Sequence, residues 1–180
     1  MTDRITIQDK EFSAYIHAEE IQTRVKEIAA ELNESHAGKT PIFLAILNGS
    51  FIFVSDLLKN ITLGCEISFV KLASYIGTSS TGEITTLIGL SESLKGKDII
   101  IVEDIIDTGR TMKNLLEILH DHSPGSITIV TLLFKKEALI ENITPDHVGF
   151  EVPDKFLVGY GLDYNGMGRN LDKIYVLTDK

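Results

Sequence analysis

Three runs of almost unbroken apolar residues constrain this 180-residue chain more than any other feature: residues 41–47 (PIFLAIL), 98–102 (DIIIV) and 126–134 (SITIVTLLF). A strand with one wet face alternates apolar and polar side chains. A run without alternation needs cover on both faces, which is the situation of a strand inside a parallel sheet. The segments between the runs supply that cover. Over residues 17–33, Ile21, Val25, Ile28, Ala29 and Leu32 recur at helical spacing on one face. Residues 51–58 read as a second helix after the turn Asn48-Gly49-Ser50. Residues 109–120 read as a third, with Met112, Leu115, Leu116 and Leu119 inward. Further strands are expected at 66–74, 83–88, 156–159 and 174–177. The small polar run at 77–82 (GTSSTG) reads as a loop. Strands alternating with helices predict an α/β fold with a mainly parallel central sheet flanked by helices. No repeat or long linker divides the chain, so a single domain over 1–180 is expected.

Charge narrows the functions. Lys and Arg number 17 against 26 Asp and Glu, a formal net charge of -9. A nucleic-acid footprint needs a basic face, so no nucleic-acid partner is expected. No apolar stretch is long enough to span a bilayer, and Met1-Thr2-Asp3-Arg4 lacks a signal-peptide run, so no membrane partner and a cytoplasmic location are expected. The one cysteine, Cys65, excludes an internal disulfide and reads as a small buried hydrophobe.

In α/β sheets ligands gather at the carboxyl ends of the strands, so the residues after each apolar run matter most. Glu103 and Asp104 follow DIIIV as adjacent carboxylates, where burial is costly without partners. Asp107, Thr108, Gly109, Arg110 and Thr111 then turn into a helix. Backbone N–H groups and the helix dipole there favour an anion, typically a phosphate. Thr108 and Thr111 add hydroxyls, and Gly109 lets a ligand approach the backbone. Carboxylates beside a phosphate cradle are reconciled by a sugar, whose hydroxyls donate to the acids. The segment therefore reads as a ribose-phosphate site. Asp107 as a mere helix cap leaves Glu103 and Asp104 unexplained. Asp107-Thr108-Gly109 as an aspartic-protease triplet lacks a second copy. The Gly96-Lys97 pair fails the spacing of a P-loop.

Residues 102–111 (VEDIIDTGRT) closely resemble the phosphoribosyl-diphosphate signature of type I phosphoribosyltransferases. Residues 47–51 (LNGSF), Lys135, and residues 148–156 and 158–165 resemble the hypoxanthine-guanine branch of that family. The likeness runs from about residue 41 to the C-terminus. It implies the type I phosphoribosyltransferase fold with a small C-terminal hood, mainly 146–180 plus the N-terminal segment. It implies transfer of a phosphoribosyl group from phosphoribosyl diphosphate to a 6-oxopurine base, with Mg²⁺ as cofactor and a homodimer or homotetramer as the assembly.

The resemblance also assigns roles. Glu103 and Asp104 would meet the ribose hydroxyls and magnesium, with Asp163 a further metal ligand. Asp107 would be the acid/base group at N7, and 107–111 would hold the 5′-phosphate. Asn48 and Gly49 would hold diphosphate, and Arg169 would face it; whether the peptide before Asn48 is cis or trans stays open. Lys135 would read O6, Phe156 would stack on the base, and the Leu157 backbone would meet its edge. Ser74 and Tyr75 would open a loop closing over the site. Asn48 departs from members carrying lysine or arginine there. The rival readings are an RNA-binding regulator of the same fold, an enzyme specific for another base, and a catalytically inactive nucleotide-binding domain.

Overall fold

The computed structural model of the chain describes residues 3–73, 85–88 and 94–178. In chain order the elements are β1 (Arg4–Ile7), β2 (Lys10–Ile16), α1 (Ala18–Ser35), β3 (Ile42–Leu47), α2 (Phe51–Leu58), β4 (Glu66–Ala73), β5 (Thr85–Ile88), β6 (Asp98–Ile106), α3 (Arg110–Asp121), β7 (Ser126–Phe134), β8 (His147–Glu151), β9 (Leu157–Val158) and β10 (Ile174–Leu177). The larger sheet runs β5-β4-β3-β6-β7-β8. Strands β4, β3, β6, β7 and β8 are parallel, and β5 lies antiparallel on the edge. The expected α/β architecture is the observed one.

The apolar runs become strands because both faces of the sheet are covered. Alternate side chains of one strand enter different cores, as the pleat requires. Phe43, Ala45, Ile100, Val102, Val130 and Leu132 face α1 and α2, meeting Ile21, Val25, Ile28 and Leu32 with Phe53, Val54 and Leu57. Ile42, Leu44, Ile46, Ile99, Ile101 and Ile129 face the other way and meet Met112, Leu115 and Leu119 of α3. Helix α1 starts where the periodicity starts, with the His17 N–H donating to Glu20 Oε2 at 2.9 Å.

Four features differ from the sequence expectation. Strand β6 continues to Ile106 rather than stopping at Val102, because β7 goes on pairing with it through Ile106↔Phe134. Glu103 and Asp104 therefore lie within the strand. Strands β1 and β2 were not expected; they join β10 and β9 in a separate four-stranded sheet, order β1-β2-β10-β9. Residues 147–151, expected in the hood, form β8 and extend the main sheet beside β7. Cys65 is exposed, not buried, since it sits in the connection before β4, outside the cores.

Among the described residues no helix is long and apolar enough to cross a membrane. Leu115 is fully buried on α3, so Leu115→Ala should lower stability by about 2–5 kcal/mol. Urea unfolding would measure this, and a loss below about 1 kcal/mol would mean that α3 is not packed as described.

Candidate active site at the sheet rim

The carboxyl ends of β3, β6 and β7 converge on one rim, and each carries different chemistry. At β3 the peptide between Leu47 and Asn48 is cis, which the sequence had left open. Asn48 is exposed and Gly49 buried. Ser50 closes the turn by donating from its buried hydroxyl to the Ile46 carbonyl at 2.5 Å. Gly49 has no room for a side chain, since a Cβ there would lie 1.7 Å from Asp104 Oδ2. On its other side Gly161, at φ 102°, brings its own backbone close, and a Cβ on it would lie 2.0 Å from the Gly49 oxygen. The Asn48-Gly49 backbone is thus held between Asp104 and the loop of Gly161.

At β6, pairing with β3 ends at Ala45↔Val102, and the next two residues are the carboxylates. Glu103 and Asp104 are both buried. Glu103 Oε2 has no hydrogen-bond partner among the described residues. Burial, and after it the Asp104 charge, holds the Glu103 carboxyl well above its ordinary value. Burial also raises Asp104, against the opposing pull of Glu103, of backbone N–H groups and of Arg169. An orphaned buried oxygen beside a second buried acid is a set of acceptors waiting for donors or a cation. Oxygen ligands of this kind suit a hard divalent ion such as Mg²⁺, which keeps several waters and needs few protein carboxylates. Among the described residues no three His, Cys, Asp or Glu side chains converge on one metal position. The pair Glu103 and Asp104 is therefore brought together, but Asp163 does not join it.

Beyond the acids the chain turns into α3. The helix cap is Gly109 at φ 82°, with no side-chain cap bond, so Asp107 is not the cap. Leu139, Glu141 and Ile143 crowd the Gly109 backbone from outside. The Thr108 carbonyl accepts the N–H groups of Ile140 and Glu141, each at 3.1 Å, which fastens the loop. A cleft of about 250 Å³ opens here, lined by Glu103, Asp107, Thr108, Gly109, Arg110 and Thr111 among others. It joins the buried acid to the start of a 12-residue helix, the setting in which N–H groups and dipole favour an anion.

At β7 the next residue is Lys135. Beside the exposed Lys136 it could pass for a solvated lysine, yet it is 7% exposed. Its backbone N–H donates to the Ile106 carbonyl at 2.9 Å. Its ammonium donates to Asp107 Oδ2 at 2.9 Å and to Asp154 Oδ1 at 3.2 Å. Burial works against the charge, but the two carboxylates outweigh it and hold the Lys135 pKa above its usual value. Asp154 was not singled out in the sequence. It lies within the quoted 148–156 segment, but nothing in its spacing marks it as a partner of a residue 19 positions earlier.

The smaller sheet supplies the remaining wall. Phe156 keeps 45% of its surface exposed. Its ring meets the edge of Tyr164 at 5.7 Å between centroids and lies 6.3 Å from Phe12. Leu157 is buried and pairs with Val176. Arg169 is no free surface charge: it donates to the Gly161 carbonyl at 2.7 Å and pairs with Asp163. Ser74 and Tyr75, with the 77–82 run, lie outside the described residues.

Residues 13–165 match the phosphoribosyl transferase domain family. The chain is 45% identical over 163 residues to the hypoxanthine-guanine phosphoribosyltransferase of Lactococcus lactis, covering 90% of this chain and 88% of that protein. It is also 45% identical over 163 residues to the Bacillus subtilis protein of that name, covering 90% and 91%. Among crystal structures, a hypoxanthine phosphoribosyltransferase from Staphylococcus aureus superposes with a TM-score of 0.87 at 41% identity, covering 92% of this chain and 90% of that one.

The buried acids give a test that needs no substrate. A carboxyl whose pKa is raised in the folded state lowers stability as pH rises through its ordinary value, because the folded form binds more protons. Glu103→Gln removes that cost. The variant should melt higher than wild type at pH 7. The gain should fade as pH falls below about 4, where the carboxyl is protonated in both states. Equal melting at pH 7 would mean that Glu103 is not held against its charge.

Proposed function

The chain belongs to the phosphoribosyltransferase family, and from that premise we infer that it is a hypoxanthine-guanine phosphoribosyltransferase of purine salvage. It transfers the 5-phosphoribosyl group from phosphoribosyl diphosphate to hypoxanthine or guanine, giving IMP or GMP and diphosphate. The observation that carries this reading is the convergence at one rim of two buried acids, an anion-favouring helix start and a lysine paired with an acid. The first two features suit a ribose phosphate, and the third suits a purine with an oxygen at position 6.

In the proposed arrangement, Glu103 and Asp104 accept the ribose hydroxyls, which satisfies the orphaned Glu103 oxygen. Residues 107–111 hold the 5′-phosphate through N–H groups and the Thr108 and Thr111 hydroxyls. Asn48 and Gly49 line the diphosphate end, with Arg169 and Asp163 beside them through Gly161. Lys135 donates to O6 and so disfavours adenine, whose amino group at that position is itself a donor. The exposed face of Phe156 offers a stacking surface, and the Leu157 backbone meets the purine edge. As N9 bonds to C1′, the bond from C1′ to diphosphate breaks and diphosphate leaves with the electron pair. Asp107 accepts the N7 proton, a positioned transfer typically worth about 100- to 10,000-fold.

Magnesium completes the proposal as cofactor, held by Glu103 and Asp104 and separately by Asp163. When bound, it supplies positive charge to the diphosphate of an otherwise acidic protein. Exposed Ile67 and Phe69, two residues apart on β4, support a homodimer or homotetramer. A cytoplasmic location belongs to the same reading.

Asp107→Asn should cut turnover about 100-fold or more while phosphoribosyl diphosphate binding changes little. Steady-state rates with ligand titration check this, and unchanged turnover would remove Asp107 from proton transfer. Chelation of magnesium should abolish nucleotide formation and readdition should restore it; full activity in chelator would overturn the metal assignment.

A further inference from the structure

Lys135 is shared between two carboxylates from different parts of the chain, Asp107 after β6 and Asp154 between β8 and β9. We propose that Asp154 is a positioning residue for Lys135: it is the countercharge that keeps the ammonium in place when Asp107 gives up its share. The inference rests on the proposed function, because it concerns what happens to this cluster during that reaction.

An ammonium has three N–H donors and no acceptor. Two are committed to Asp107 and Asp154, which leaves one for a ligand oxygen. The backbone bond to Ile106 fixes the stem of the side chain, and Lys135 is 7% exposed. A cation so buried is costly without an anion. At rest it has two. The reaction removes one. Asp107 Oδ2 is occupied by the Lys135 ammonium at 2.9 Å, so that contact must loosen before the oxygen can take a proton. Once Asp107 has taken the N7 proton it is neutral.

From that moment Asp154 is the only one of the two partners still charged. Its own side chain is 62% exposed and reaches the buried ammonium at 3.2 Å, so it stands in water while facing a buried neighbour. Without Asp154, two things go wrong together. Lys135 would bind wholly to Asp107 and leave O6 to compete with a carboxylate. The proton transfer would also strand a buried cation. Both faults fall on the base half of the reaction and neither touches the sugar phosphate end.

The test is a double-mutant cycle read by steady-state kinetics, with hypoxanthine and phosphoribosyl diphosphate varied separately. Asp154→Asn should lower kcat/KM for hypoxanthine about tenfold, and Asp154→Glu should restore most of it. The KM for phosphoribosyl diphosphate should stay within about twofold of wild type in both. In a Lys135→Gln background, Asp154→Asn should cost nothing further. A loss of equal size in both backgrounds, a change of less than about twofold in wild type, or an equal rise in the KM for phosphoribosyl diphosphate would overturn the inference. Those results leave the proposed function standing, because the wild type still makes nucleotide. A wild type that makes none from any 6-oxopurine would overturn the function, and this inference with it.

Discussion

The whole arrangement depends on a sheet buried on both faces. Strands β3, β6 and β7 send alternate residues into two separate cores, so no charge can be placed along their length without leaving water. Polar chemistry is driven to the ends of the strands, and the three central strands end side by side. The rim is therefore the one place where a carboxylate, an ammonium and a helix start can meet on a rigid base. The ragged ending adds to this. β3 stops pairing with β6 at Val102, and β6 runs on for four more residues. Glu103 and Asp104 sit on that extension, where Glu103 pairs with Thr131 of β7 and Asp104 lies against the Gly49 backbone.

An acidic protein that handles anions must produce its attraction locally. In the proposed arrangement the rim does so with groups that carry no formal charge, namely N–H groups at the α3 start, and with charges that are already committed. Lys135 belongs to two acids and Arg169 to Asp163 and the Gly161 carbonyl. The two acids raised by burial are the counterpart: they are costly on their own and, in the proposed arrangement, are matched by hydroxyls or a cation. Sites of this kind lower the stability of the free protein and return it on binding.

Much of this was legible in the sequence because the signals were local. Unbroken apolar runs marked β3, β6 and β7, and the acid pair, glycine and threonines of 103–111 lay in one continuous segment. Most of what failed depends on distant partners; β1, which pairs only with the adjacent β2, is the exception. β2 has buried residues at Phe12 and Ile16, but its partner β10 lies more than 150 residues away. β8 has no fully buried residue and gave no apolar run. The extension of β6 is set by β7, not by its own composition. Lys135 shows the limit most clearly. Beside Lys136 it has the local pattern of a solvated pair, and only Asp107 and Asp154, 28 and 19 residues away, make it a buried charge.

The same dependence on distant partners joins the two sheets at the site. Tyr160 adopts a left-handed backbone, φ 45°, which costs energy for any residue with a side chain. Its buried hydroxyl donates to Asp56 on α2 at 2.7 Å, and Gln22 on α1 donates to the same carboxylate oxygen at 2.8 Å. Burial, with the Asp56 charge behind it, pushes the phenol far above its ordinary pKa, so it remains a donor. That anchor fixes the turn that presents Gly161 to Gly49. Asp104 closes on Gly49 from the main sheet, and Gly161 closes on it from the loop that follows β9. A side chain at either glycine would push the two apart. The Asn48-Gly49 loop is therefore held by contact between two sheets that share no strand, and its geometry can be no better defined than the packing between them.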